Sequence, residues 1–199
     1  MQRKKLTYSI TFYSDWHIGS GLAAGAESNN VVLKNEEGFP IIPGKTLKGL
    51  LRDAAVHLSS FNEELVSKPF IKQVFGEGED QLNEAEERAG VSVSAAQDFF
   101  TDAEPSEYLQ QAFSKDQATA LYRKVTSTAI GENGIALDKS LRTKEVTVPL
   151  TLYGQILDFP GDFENEMVHT MKWVKRLGFN RYRGLGKCTF QILNTPEND

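Results

Sequence analysis

Two stretches carry residues whose types and spacing fit the capture of a polyanion. In Lys45–Leu58, Leu47, Leu50, Leu51, Ala54 and Leu58 recur at helical spacing. At ~100° per residue Lys45, Lys48 and Arg52 then lie within about 60° of one another, nearly opposite the leucines. Gly49 falls on the same basic side, where a mid-helix glycine costs roughly 1 kcal/mol relative to alanine and is explained if a phosphodiester backbone passes close by. The start of this helix, with amides at Lys45 and Thr46, adds partial positive charge. A solvated surface helix is the plainer reading of the same stripe.

The second stretch is Asn180-Arg181-Tyr182-Arg183-Gly184-Leu185-Gly186-Lys187. Gly184 and Gly186 let the main chain approach a ligand, Arg181, Arg183 and Lys187 supply charge, and Tyr182 can stack on a base. Other constellations fail on spacing. Gly38 to Thr46 resembles a phosphate-binding loop, but five residues separate Gly38 from Gly44-Lys45-Thr46 where four are required, and two of the nine positions are proline. His17, His57 and His169 share no metal-ligand spacing and read as ordinary polar or partly buried histidines. Cys188, the only cysteine, falls on the inward face of a strand and excludes a disulfide framework. It reads as a small core residue.

The elements that position these residues follow from periodicity. Leu6, Tyr8, Ile10 and Phe12 alternate with Lys5, Thr7, Ser9 and Thr11, which predicts a half-buried strand. Glu63–Val74 reads as a helix and Val91–Phe100 as a strand. Arg123–Ile130 and Ile135–Val146 flank an Asn133-Gly134 turn, a strong hairpin signal. A strand continues through Leu152 and Ile156, with Pro149 at an edge or bulge. Phe163, Met167, Met171, Val174 and Leu177 predict a second amphipathic helix closed by Gly178. Cys188, Phe190 and Ile192 alternate in a last strand. The succession strand, helix, strand, strand, helix, strand fits an α+β, ferredoxin-like fold, an antiparallel sheet with both helices on one face.

In 199 residues, 22 Lys and Arg stand against 27 Asp and Glu, a net charge of -5. Taken alone this acidity argues against nucleic acid. It is local, however. Residues 76–107 hold ten acids and one base, Arg88, so that segment carries -9 and the rest of the chain +4. Lys172 to Lys187 contains six cations and no acid. A polarised molecule of this kind attracts a polyanion to its basic side. No run reaches the ~18 apolar residues of a membrane span, and residues 1–16 lack the apolar core of a secretory signal. A cytoplasmic chain with no membrane partner is expected.

Three segments together resemble one family. They are Trp16-His17-Ile18-Gly19-Ser20-Gly21 after the first strand, Pro40-Ile41-Ile42-Pro43-Gly44-Lys45-Thr46-Leu47-Lys48-Gly49 at the first helix, and Gly178-Phe179-Asn180-Arg181-Tyr182-Arg183-Gly184-Leu185-Gly186 before the last strand. In this order they are similar to the RAMP superfamily, whose members build CRISPR effector complexes. Gly134–Glu145 resembles the β-hairpin thumb of the repeating backbone subunit in type III complexes. The resemblance spans most of the chain outside about 60–120.

It implies a single RAMP domain over 1–199 with an RNA-recognition-like (RRM-like) sheet, an acidic insertion within 60–120 and a thumb hairpin over 123–147. It also implies contact with CRISPR (guide) RNA, target RNA and other RAMP subunits. The guide backbone would be gripped by Lys45, Thr46, Lys48, Gly49, Arg52, Arg181, Arg183, Gly184, Gly186 and Lys187, and Ile135 and Leu137 would form the thumb wedge. Cleaving members carry a loop Asp whose matching position here is Ser28, which cannot bind a cation or take a proton comparably. The expectation is a non-cleaving, guide-RNA-binding subunit acting in antiviral defence, with no cofactor. One alternative is an endoribonuclease that uses Glu27 and a divalent metal. Another is a protein-interaction module built on the acidic 76–107 segment.

Overall fold

The computed structural model describes residues 2–19, 31–76, 99–137 and 140–193. Strand β1 (Arg3–Phe12) is central in a four-stranded antiparallel sheet. It pairs on one side with β5 (Thr151–Pro160) and on the other with β6 (Cys188–Leu193). A two-residue strand β2 (Glu104–Pro105) closes the β5 edge, giving the order β2-β5-β1-β6. Two long helices, α1 (Gly44–Phe61) and α4 (Glu164–Trp173), complete the ferredoxin-like succession. The strand order is the one that fold requires.

The alternation in β1 decides which face is covered. Leu6, Tyr8, Ile10 and Phe12 are buried in one cluster with Leu47, Leu51, Ala54, Ala55 and Leu58 of α1 and Met167 and Met171 of α4. Both helices therefore lie on one face, and each fully buried Leu or Met there contributes roughly 1.5–3 kcal/mol. The opposite face presents Thr7, Thr11, Thr151, Tyr153, Gln155, Thr189 and Gln191, half-buried or exposed.

The span 60–120 supplies core as well as surface. Helix α2 (Lys68–Phe75), capped by the Ser67 hydroxyl on the Phe70 amide, buries Phe70, Val74 and Phe75 in the main cluster. The second strand predicted at 91–100 falls largely outside the described residues. The observed edge runs along β5 through 99–105, with Phe100 bridged to Ile156 and the Thr101 amide bonded to the Gln155 carbonyl. The short helix α3 (Glu107–Ala112) follows, capped by Ser106. Of the acidic segment, Asp102, Glu104 and Glu107 are described, and each belongs to this edge or to α3.

The hairpin forms where its turn signal placed it. Strands β3 (Tyr122–Ser127) and β4 (Arg142–Thr147) pair from Tyr122↔Thr147 to Ser127↔Arg142, and a further bridge joins Ile130 to Ala136 around the turn at 131–134. Between Thr147 and Thr151 the chain leaves this two-stranded sheet for the main one, across Pro149, which cannot donate to either ladder. Helix α4 corrects the sequence expectation. It ends at Trp173, not at Gly178, because the next residues pair with the chain returning toward β6. The Leu177 amide bonds the Gly186 carbonyl, and the Cys188 amide bonds the Lys175 carbonyl. Val174 and Leu177 stay buried, so helical spacing and burial agreed up to the point where a ladder took over the backbone.

Candidate nucleic-acid interface

Residues 13–18, which leave the end of β1, form a strap bonded on both sides. On one side it holds the glycine-rich loop. The Tyr13 amide donates to the Lys187 carbonyl at 2.8 Å, the Gly186 amide to the Asp15 carbonyl at 2.7 Å, and the Phe179 amide to the His17 carbonyl at 2.9 Å. The Lys187 amide donates to Ser14 Oγ at 2.9 Å. On the other side it holds the base of the hairpin. Trp16 and Thr147 exchange both backbone bonds, at 2.8 and 3.0 Å, and Trp16 Nε1 donates to the Val148 carbonyl. His17 Nδ1 lies 2.7 Å from the Glu145 carbonyl, so that nitrogen carries the proton.

The charged groups at the strap are paired with one another. Asp15, with a side chain only 8% exposed, accepts from Nε of Arg123 at 2.7 Å and from its Nη2. Glu145 accepts from Lys34 Nζ and from the Val32 amide, and Lys34 also covers the Tyr122 ring at 3.8 Å. His17 is buried, edge-on to Phe179. Its pKa is lowered by burial, against the raising effect of the Glu145 carbonyl and carboxylate and with a smaller lowering by Lys144.

The loop carries its cations outward. Arg181, Tyr182 and Arg183 form one exposed 3-10 turn entered through Asn180 and left through Gly184, both in left-handed conformation. Tyr182 is 87% exposed with the Arg181 guanidinium 4.9 Å from its ring centre, and Lys187 is exposed. Gly186 differs from its neighbour. It is buried at φ +70, and a Cβ there would sit 1.9 Å from the Leu177 carbonyl oxygen, so its bareness serves internal packing. Around Gly184 the space is open.

Helix α1 is held elsewhere, on the β2 edge, where the Gly44 amide donates to Asp102 Oδ1 at 2.8 Å. A carboxylate of the chain itself thus occupies the start of the helix, the place where the sequence suggested an external phosphate. The side chains of Lys45 and Thr46 are exposed beside it. Lys48 and Arg52 are half-buried neighbours, and Lys48 has a pKa lowered by burial and then by the Arg52 charge. Gly49 is exposed with nothing within 4 Å of a Cβ, so the helix surface is bare at that point.

The remaining candidates are placed as follows. Ile135 and Leu137, with Ile130 and Leu141, are exposed near the hairpin tip and do not pack on the main sheet. Glu27 and Ser28 lie outside the described residues. Among the described residues no group of three or more His, Cys, Asp or Glu could hold a metal ion, and no helix is long and apolar enough to cross a membrane. Burial pushes the Cys188 thiol up to about 12, as suits a core residue. A cavity of about 640 Å³ on the β2 edge is lined by Asp102, Glu104 and Glu107 beside Tyr153 and Gln155, a lining that repels a polyanion. Sequence reasoning gave neither Arg123 nor Asp15 a place in the site. Their pairing across 108 residues leaves no local signal.

The RAMP superfamily model matches residues 9–189, from within β1 through the glycine-rich loop to the start of β6. The chain belongs to the RAMP superfamily. Among solved structures, this RAMP chain is similar to one in the cryo-EM structure of the type III-B Cmr-beta bound to cognate target RNA, with a TM-score of 0.65, 11% identity, and coverage of 95% of this chain and 97% of that one. It is also similar to a chain in the apo state of Cmr-beta, with a TM-score of 0.63, 13% identity and the same coverage. At such identity the likeness is one of fold. No curated protein matches the chain.

Proposed function

We propose that this RAMP-superfamily chain is a guide-RNA-binding backbone subunit of a type III-like CRISPR interference complex, and that it does not itself cut target RNA. One observation carries the reading: a single strap joins an outward-facing cationic loop, with an exposed tyrosine and an open glycine, to the base of a hairpin with exposed aliphatic residues. The loop can follow an RNA backbone by charge and stacking, and the hairpin can reach a neighbouring RAMP subunit or the guide–target duplex. The type III-B relative bound to target RNA supports this assignment. The α1 stripe adds a second basic surface. An approaching phosphate offsets the mutual repulsion of Lys48 and Arg52.

Titration of labelled single-stranded RNA with the full chain tests the reading. Binding should weaken steeply between 50 and 200 mM salt, and both Lys48→Ala and Arg183→Ala should reduce it, each lowering the log–log salt slope by roughly 0.7–1. Salt-insensitive binding, or variants that bind as the parent does, would sink it. The nuclease alternative rests on Glu27. Regularly spaced cuts in matched target RNA by the assembled complex with magnesium or manganese would establish it in place of the non-cleaving role.

A further inference from the structure

We propose that Arg123, oriented by Asp15, forms a phosphate-binding position for single-stranded RNA at the junction of the hairpin and the glycine-rich loop. This site rests on the RNA-binding reading above and adds a contact to it. Arg123 is the second residue of β3, paired with Val146, and its side chain is 61% exposed. An exposed arginine on a hairpin ordinarily samples many rotamers. This one does not, because Nε and Nη2 both donate to the same oxygen of a carboxylate that is almost wholly buried.

A guanidinium has five N–H donors in a rigid plane. Asp15 takes the two along one edge, and Nη1 has no partner among the described residues. The outer fork of Nη1 and Nη2 therefore faces away from Asp15, with the geometry that matches two oxygens of one phosphate. Asp15 offsets part of the charge. What it supplies is orientation, so less side-chain freedom is lost when a phosphate binds.

The position lies next to the loop. The Asp15 that holds the guanidinium also accepts the Gly186 amide through its own carbonyl, and the preceding Ser14 accepts the Lys187 amide. One RNA strand following Arg183, Gly184 and Lys187 is thus led past Arg123 toward the hairpin. A solitary ion pair stabilising the hairpin base would need no such exposed fork.

The test compares the full chain with two variants that keep its net charge, using a labelled single-stranded RNA. The double variant Asp15→Asn/Arg123→Gln removes the pair without stranding a buried carboxylate. It should bind about five- to tenfold more weakly at low salt, the loss of one charged contact, with a salt slope shallower by about 0.7. Arg123→Lys keeps the pair and the charge but not the fork. It should weaken binding about two- to fivefold with the slope unchanged, and it remains informative if the double variant does not fold. A purely structural pair would move melting temperatures and leave both affinities and slopes at parental values, which overturns the site. If the parent binds no RNA, the RNA reading and this site fall together. If the parent binds and both variants match it, this site alone falls.

Discussion

At the scale of single residues, Gly49 and Gly186 look alike in the sequence and are opposites in the structure. Gly49 sits on an exposed helix surface with open space where a Cβ would be. Gly49→Ala should raise stability by about 1 kcal/mol, a gain readable as a higher melting temperature. If an RNA backbone lies against this helix, the same methyl group should lower RNA affinity. The combination of a stabler chain with weaker binding would mark Gly49 as a contact, and unchanged affinity would remove it from the interface. Gly186→Ala forces a side chain into a left-handed position and onto the Leu177 carbonyl. The strain alone costs about 1–3 kcal/mol, so urea denaturation should give a clearly lower midpoint.

At the scale of elements, the strap of residues 13–18 makes loop and hairpin one mechanical unit, and His17 gives it a pH signature. Its pKa in the folded chain lies below the ordinary 6.5 because it is buried. As pH falls through 6.5 the unfolded chain takes up this proton first, so stability is full above that value and declines until the folded pKa is passed. Melting temperature should fall between pH 7.5 and 5.5, and His17→Gln should flatten that part of the profile. A variant with the parental slope would show that other groups cause it. How far such features are legible depends on their range. The Leu47, Leu51 and Leu58 spacing revealed α1, and Asn133-Gly134 revealed the hairpin, since both are written in neighbouring residues. The two-residue β2 exists only through its pairing with β5, and α4 stops short because Leu177 finds Gly186. Asp15 with Arg123, and His17 with Glu145, are matched across more than a hundred residues, so the cationic loop could be read and the part that orients it could not.

At the scale of the whole molecule, charge and apolar surface are both unevenly spread. The cations of the loop face outward, the carboxylates of the β2 edge line a separate cavity, and exposed aliphatic residues gather near the hairpin tip. Ile135 and Leu137 are 71% and 53% exposed, so Ile135→Ser with Leu137→Ser should leave the melting temperature nearly unchanged. If the hairpin engages a neighbouring subunit, sedimentation of the double variant on a long RNA should show fewer chains per RNA than the parent. Equal occupancy would assign the tip another role. The order of the strands has a further effect. Strand β1 is made before any other described element, yet its partner β6 and the loop that its strap holds follow all the rest. A chain still emerging from the ribosome therefore carries the strap, the α1 cations and the hairpin before it has the loop, and the surface proposed for RNA is complete only as synthesis passes the last strand.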